Sequence, residues 1–363
     1  MYIKEIEIVN FRNYNNVKIN LHDKINIIYG NNASGKTNLL ESIYVLGLTK
    51  SHRSFIDNNL IKNGCDFFRL TGSLKKDDIV YNLEISNNHH KKIKIDNKEI
   101  NKMSDYISKM NIIIFYPEDL EIIKGSPAIR RNFLDLELSQ LYSNYYNILS
   151  EYNRLLKMRN ERLKNDQTSN YQYFQILTDY LIERAIMIYK MRQKIVTKIN
   201  EYCPKIYEDL TGNKGFKIKY KPNINFPSNK DMKDYLFNLY QKNYLKELKF
   251  GKTIIGPHLD DIEFYLGDIN LKHYGSQGQQ RIAIIAIKLA EIEIFKSYKN
   301  DTPILLLDDV FSELDISKRN NLIKYIDGNL QTIITTTDLE SFDDNIIKNS
   351  KIIKVDNGKI IEK

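Results

Sequence analysis

Gly30-Asn31-Asn32-Ala33-Ser34-Gly35-Lys36-Thr37 fits the pattern G-x-x-x-x-G-K-T in full. Its two glycines let a loop turn tightly and aim N–H groups at phosphate oxygens. A helix starting near Lys36 adds the positive end of its dipole. Lys36 is then placed to reach the β- and γ-phosphates of ATP, and Thr37 to ligate Mg²⁺. Far downstream, Ile304-Leu-Leu-Leu-Asp308-Asp309 is an apolar strand ending in two acids. Asp308 is expected near the metal, through water, and Asp309 is suited to orient or deprotonate an attacking water. Any buried strand can end in acids, but in one chain with a phosphate loop the two make an ATPase pair. A third segment, Ser276-Gln277-Gly278-Gln279-Gln280, precedes a helix expected from Arg281. A hydroxyl and a glycine backbone at a helix start make a second anion site. The first site already takes the β- and γ-phosphates, so the second is explained as meeting the γ-phosphate held by another copy of the chain. The plain alternative is an ordinary helix cap.

The elements that must position these residues are legible in the apolar spacing. Ile3, Ile6 and Ile8 form a first strand, Val17 and Ile19 a second, and Ile25 to Tyr29 a third that runs straight into Gly30. Leu39, Leu40, Ile43 and Leu46 recur at helical spacing, so the glycine loop lies between strand and helix. From Phe67 to Ile100, short alternating runs broken by Lys75-Lys-Asp-Asp78, Ser86-Asn-Asn88 and Asp96-Asn97 predict an antiparallel β lobe. Asn111 to Tyr116 reads as a buried strand stopped by Pro117.

Residues 127 to 250 read as mostly helical. One stripe runs from Phe133 to Leu156 and another from Leu177 to Ile199, across the polar connector Asn165 to Asn170, which predicts an antiparallel helical hairpin. Arg154, Lys157, Arg159, Arg162 and Lys164 crowd the end of its first helix, as a solvated face or a DNA contact. The chain then returns to α/β pattern: a helix from Arg281 to Phe295, strands at Ile304–Leu307 and Thr332–Thr335, and a closing hairpin from Lys351 to Lys363. The expected division is a head of residues 1–120 and 250–363, with the β lobe at about 67–100, and a helical insertion of 121–249.

Composition narrows the classes. At 42% hydrophobic and 28% charged residues, the chain is of ordinary globular type. No apolar run approaches the length of about 18 residues that a membrane helix needs, and no signal-peptide pattern opens the chain. Cys65 and Cys203, a lone distant pair, give neither zinc spacing nor a disulfide framework, so a cytoplasmic protein is expected. The net charge of +8 points either to an acidic partner, most simply nucleic acid, or to coding bias toward Lys.

The order and spacing of the three chemical segments resemble the ATP-binding-cassette head shared by SMC-type chromosome proteins and recombination mediators. Asn10-Phe-Arg-Asn-Tyr14 ahead of the phosphate loop is similar to the opening motif of that group. Phe115-Tyr-Pro-Glu-Asp-Leu120, Lys124-Gly-Ser-Pro127, Arg130-Arg131-Asn-Phe-Leu-Asp135, Gly256-Pro-His-Leu-Asp-Asp261, Tyr274 to Arg281 and Leu306 to Asp315 resemble the RecF family, so that the likeness runs from Tyr2 to about Thr337.

That resemblance implies an α/β fold: an ABC/SMC-like P-loop ATPase head with an antiparallel β lobe and an inserted helical domain. It implies ATP and Mg²⁺ as cofactors, an ATP-dependent homodimer, and binding to double-stranded DNA near single-strand junctions or gaps. RecO and RecR are the implied protein partners, in loading recombinase onto single-stranded DNA. Arg12 would lie near the phosphates, Ser276, Gly278 and Gln279 would close over ATP held at Lys36 of the other copy, and Ser312 to Asp315 would meet the partner head. Three positions depart from the pattern. Asp309 stands where such heads usually carry Glu, which implies slow, DNA-stimulated hydrolysis with ATP acting mainly as the gate of dimerisation. Thr335-Thr-Thr337-Asp338 stands where a switch His is usual, with Thr337 the nearest candidate to sense the γ-phosphate. Leu259 stands where the family often has Arg.

The readings weighed against an ATP-gated DNA clamp are three. An SMC-like chromosome clamp needs a long coiled-coil arm, for which the helical stretches here are short. A transporter engine has no use for Asn10 to Asn13 or for the inserted helices. A non-catalytic module would use ATP only as a dimer ligand.

Overall fold

The structure, a computed structural model, describes residues 1–54, 56–165, 171–227, 231–299, 301–314, 316–326, 330–340 and 342–361. The chain forms two compact units. One comprises Met1–Asp119, Ile206–Gly212 and Ile285–Lys363, and the other Leu120–Lys205 and Asn213–Ile284.

The first unit is built on a six-stranded sheet. From one edge to the other its order is Lys359–Ile361, Ser350–Asp356, Ile25–Tyr29, Thr332–Thr336, Ile304–Asp308 and Ile112–Phe115. The last five strands of that order run parallel, and only the closing hairpin is antiparallel. Every residue of Ile304–Asp308, Thr332–Thr336 and Ile112–Phe115 is buried. That explains why these segments read as continuous apolar runs and not as alternations.

A second six-stranded sheet in this unit is antiparallel, in the order Tyr14–Asn20, Tyr2–Phe11, Phe68–Lys76, Ile79–Asn88, His90–Ile95 and Lys98–Glu99. It is larger than the lobe expected at about 67–100, because the first two strands of the chain join it. Ile3 and Ile6 are an odd number of residues apart yet both are buried. A register shift between Ile3 and Glu5 brings them to the same face. The helix Lys36–Leu48 packs against both sheets. A Cβ at Gly47 would lie 2.4 Å from Ile112, and one at Gly72 would lie 2.5 Å from Leu46, so glycine lets both layers approach the helix.

The second unit holds the helices Pro127–Leu141, Tyr145–Lys164 and Met232–Phe250, and the helix Tyr171–Thr211 as far as Lys205. Glu151 pairs with Arg184 at 2.6 Å and Arg159 donates to Thr178 at 3.2 Å, so Tyr145–Lys164 and Tyr171–Thr211 run antiparallel as a hairpin. Residues 166–170 of its expected connector lie outside the described residues. Two expectations are corrected. The first apolar stripe is two helices, interrupted at Tyr142–Asn144. The other concerns the domain boundary: within the mostly helical segment, Phe216–Lys221 is a strand that pairs along its whole length with Asp261–Leu266. That pairing, extended by Ile269–Asn270, draws residues 250–284 into this unit instead of the head.

Arg159, expected on a basic face, is instead 1% exposed. It pairs with Glu247 at 2.6 Å, donates to Thr253 at 2.7 Å, and lies 4.9 Å from the Phe174 ring and 4.8 Å from that of Tyr240. Removing one member of such a pair strands a buried charge. Glu247→Ala should therefore cost about 3–5 kcal/mol, read as a lowered midpoint of urea unfolding. Arg159→Met combined with Glu247→Leu should recover most of that loss.

Candidate nucleotide site

The parallel register decides what can meet at the carboxyl ends of the strands. Asp308 is opposite Thr335, Thr335 is opposite Ile28, and Thr336 is opposite Tyr29, the residue before Gly30. The phosphate loop, the strand acids and the threonine run therefore emerge side by side, where open α/β sheets bind ligands. Gly35 caps the helix at φ 117°, a left-handed conformation that disfavours any side chain. A Cβ there would also lie 2.5 Å from the Asn13 amide.

Lys36 is 8% exposed and its Nζ donates to the carbonyls of Gly30 at 2.8 Å and Asn31 at 2.9 Å. Burial holds its pKa below the usual lysine value, opposed by the charges of Asp309 and Asp308. Thr37 Oγ1 donates to Asp308 Oδ1 at 3.0 Å, and Thr335 Oγ1 donates to the same oxygen at 2.7 Å. The Asp309 N–H in turn donates to Thr335 Oγ1 at 3.0 Å, with Asp309 at φ 53°. Burial raises the Asp308 pKa, and the two threonine hydroxyls pull it back toward the ionised form.

The site fits the groups that the sequence implied. Asn31, Asn32 and Ala33 form the exposed rim of the loop. Inside it, the Ser34 hydroxyl is buried without a hydrogen-bond partner, an orphan that an incoming phosphate oxygen would satisfy. Thr37 uses its proton on Asp308, which leaves its oxygen lone pairs for a hard cation. Among the described residues no cluster of three or more His, Cys, Asp or Glu could cage a metal. One hydroxyl and one carboxylate instead suit Mg²⁺, which keeps waters and shares phosphate oxygens.

The opening motif braces the loop and its helix. Arg12 directs Nε and Nη2 to Glu41 at 2.9 and 2.8 Å, and Nη1 to the Asn59 carbonyl at 2.8 Å. Its neighbours reach the loop: Asn13 donates to the Ser34 carbonyl at 3.2 Å and Tyr14 to the Gly35 carbonyl at 3.0 Å. Burial pushes Glu41 up, but the hydrogen bonds from Arg12 and Ser51 and the charges of Arg12 and Arg53 hold it below the usual carboxylate range. Thr337 is exposed and donates to Asp338 at 3.2 Å, so the hydroxyl in direct contact with Asp308 belongs to Thr335. In the sequence Thr335, Asn13 and Tyr14 stand only as members of longer segments, with no role of their own assigned. A hydroxyl at the last buried position of a strand beside the acids was the available signal for the first.

Ser276 and Gln279 form a reciprocal cap at the start of the helix Gln277–Lys299. The Gln279 N–H donates to Ser276 Oγ at 3.2 Å, and the Ser276 N–H to Gln279 Oε1 at 2.9 Å. Gly278 follows with nothing within 4 Å of a Cβ built on it. Of the expected partner segment Ser312 to Asp315, Asp315 and the side chains of Ser312 and Glu313 lie outside the described residues. Leu259 is 43% exposed, while His258 and Asp260 beside it turn inward.

A parallel sheet ending in a phosphate loop and a threonine-held acid, with an antiparallel sheet beside it and a second unit rich in helices, defines an SMC-like ABC ATPase head. The RecF/RecN/SMC N-terminal domain family matches residues 2–361. The chain is 39% identical to the DNA replication and repair protein RecF of Bacillus cereus over 99% of this chain and 98% of the relative, and equally so to that of Bacillus anthracis. A solved structure of the recombination mediator protein RecF with ATP aligns at TM-score 0.92 and 30% identity, covering 100% of this chain and 97% of that one. An Smc head bound to the C-terminal winged-helix domain of ScpA aligns at TM-score 0.57 and 17% identity, over 99% and 97% of the two chains, which shows the shared fold alone. The chain belongs to the RecF family.

The Thr335 contact makes a pH prediction. Asp308 must be ionised to serve a cation, and burial raises its pKa, so affinity for Mg²⁺-ATP should fall as pH drops through a value above the usual carboxylate range. Thr335→Val removes a hydrogen bond that favours the carboxylate. That acid limb should move to higher pH, measured by fluorescent-nucleotide titration between about pH 5 and 8.

Proposed function

We propose that this chain is an ATP-gated DNA-binding protein of recombinational repair and replication-fork maintenance. Two copies close on ATP, bind gapped or junction DNA, and assist recombinase loading with RecO and RecR in the cytoplasm. Lys36 and the loop N–H groups bind the β- and γ-phosphates. Thr37 and Asp308 would hold Mg²⁺, which neutralises charge on the phosphates when bound. Asp309 orients the attacking water in a slow hydrolysis stimulated by DNA, so ATP acts mainly as the gate. The name of the relatives, DNA replication and repair protein RecF, supports the DNA role. Among the described residues, no helix is long and apolar enough to cross a membrane.

The observation that carries the gate is Gly278. It lies in the first turn of a capped helix, without positive φ and with open space around it. Its own chain would accept alanine there, and alanine favours a helix by about 1 kcal/mol. A glycine that the single chain does not need is suited to close approach by a second molecule, here the nucleotide held at Lys36 of a partner copy.

Sedimentation with Mg²⁺, with and without ATP and a gapped duplex, tests the reading: a dimer should form only with ATP and should hold DNA more tightly. Lys36→Met should lose nucleotide and dimer together, whereas Ser276→Arg and Gly278→Ala should keep nucleotide binding and lose the dimer. Gly278→Ala should unfold no more readily than the parent. A dimer unaffected by changes at Ser276 and Gly278 would remove the shared site. DNA affinity should also fall steeply with salt, as expected where phosphate contacts release counterions; a flat response would leave the +8 charge without a role in binding.

A further inference from the structure

Two segments that the nucleotide site does not use, Arg130 to Asp135 and Gly256 to Asp261, meet in the second unit around a cavity of ≈180 Å³. A closed ionic frame underlies it, of which Arg192 and Asp135 also line the cavity wall. Arg192, 2% exposed, pairs with Asp135 at 2.9 Å and Asp260 at 3.0 Å, and donates to the Pro257 carbonyl at 2.6 Å. Arg130 holds Asp261 through Nε at 2.6 Å and Nη2 at 3.1 Å. Tyr145 donates to Asp135, while Tyr220 and the Asn223 N–H donate to Asp260. Each of the three carboxylates is therefore hydrogen-bonded by groups other than the Arg131 side chain, although their charges also act on that guanidinium.

Arg131 lines the cavity and donates only Nη1, to the Asp260 main-chain oxygen at 2.8 Å. Nε and Nη2 have no partner among the described residues. Asn132 and Asn153, also on the wall, are exposed amides with no hydrogen bond to the rest of the described chain. His258 adds no charge at neutral pH, because burial, opposed by a bond to the Thr253 carbonyl, pushes it down to about 4; its Nδ1 meets the Tyr152 hydroxyl at 2.6 Å. Ala128, Leu149 and Ile188 make the wall partly apolar.

We propose that this cavity binds the carboxylate of an acidic side chain presented by a protein partner, with Arg131 as its cation and Asn132 and Asn153 as flanking donors. A guanidinium edge matches a carboxylate bidentately. A concave site with apolar walls and few polar groups suits a single side chain with a hydrocarbon stem. Nucleic-acid backbones are instead bound by repeated cations along a track, and this wall offers one unpaired guanidinium.

The test uses the full chain labelled at Ala, Ile and Leu methyl groups, titrated with acetyl-Leu-Glu-Leu-amide, with its Gln counterpart, and with inorganic phosphate. The Glu peptide should shift the methyls of Ala128, Leu149 and Ile188 saturably, and the Gln peptide should bind at least about tenfold more weakly. Arg131→Gln should abolish that difference. Ala128→Tyr, at an exposed position where the new ring fills the mouth, should abolish the shifts and leave nucleotide binding unchanged. No shift with either peptide, equal binding of the two, or a difference that survives Arg131→Gln overturns the proposal. Phosphate matching the Glu peptide also overturns it, in favour of a general oxyanion site open to nucleic acid.

Discussion

The junction at Asp308 is the constraint on which the head depends. A carboxylate 5% exposed is costly to ionise, and two hydroxyls aimed at one of its oxygens offset that cost. One hydroxyl comes from the helix of the phosphate loop and the other from the neighbouring strand. Because Thr335 is also the register partner of Ile28, a slip of one residue in either ladder would turn a hydroxyl away and leave the acid alone in the core. The same pairing sends the Asp309 N–H onto Thr335 and holds Asp309 in a left-handed conformation at the strand exit. Such a conformation costs about 1–3 kcal/mol in a residue with a side chain and persists where its surroundings over-determine it.

The opening hairpin serves the same junction from the other side of the loop. Phe11 pairs with Tyr14, which leaves Arg12 and Asn13 as a two-residue turn with Arg12 at φ 54°. Glycine is the usual occupant of such a position. Here the turn is held by the paired contacts from Arg12 to Glu41, itself inside the phosphate-loop helix. With the turn fixed, Asn13 and Tyr14 hold the Ser34 and Gly35 carbonyls, so the loop N–H groups stay turned toward an anion. Arg12 thus acts through the scaffold in the single chain, and the loop contact passes to the two residues after it.

Local signals made much of this legible. The strand, glycine loop and helix at Ile25 to Leu48 announce themselves by composition, and the buried strands at Ile304 and Thr332 by unbroken apolar runs. Pairings between distant segments were the part that local pattern does not carry. Tyr2–Phe11 gives no sign of its partner Phe68–Lys76, so the antiparallel sheet was drawn too small. Phe216–Lys221 is short and lysine-rich between long helices, and only its ladder with Asp261–Leu266 makes it a strand. Arg159 looked like its basic neighbours because the residues that bury it, Glu247 and Tyr240, come from another helix. The contact between Thr335 and Asp308 likewise depends on the strand register, which local pattern does not reveal.

The helix starts at Lys36 and at Gln277 differ in how complete they are. At Lys36 the chain closes its own site: a left-handed glycine, a lysine folded back across the loop, and a hydroxyl shared with a distant acid. At Gln277 the chain provides only a cap, in which Ser276 and Gln279 satisfy each other and Gly278 faces open space. A cap of this kind needs a polar residue at either end, but it does not need a glycine between them. Alanine would serve helix stability better at that position. Nothing in the single chain packs against that glycine, and the cap lies beside open space. The asymmetry is therefore one of completeness: a single chain assembles a phosphate site at Lys36, and at Gln277 it assembles only a helix cap open to solvent.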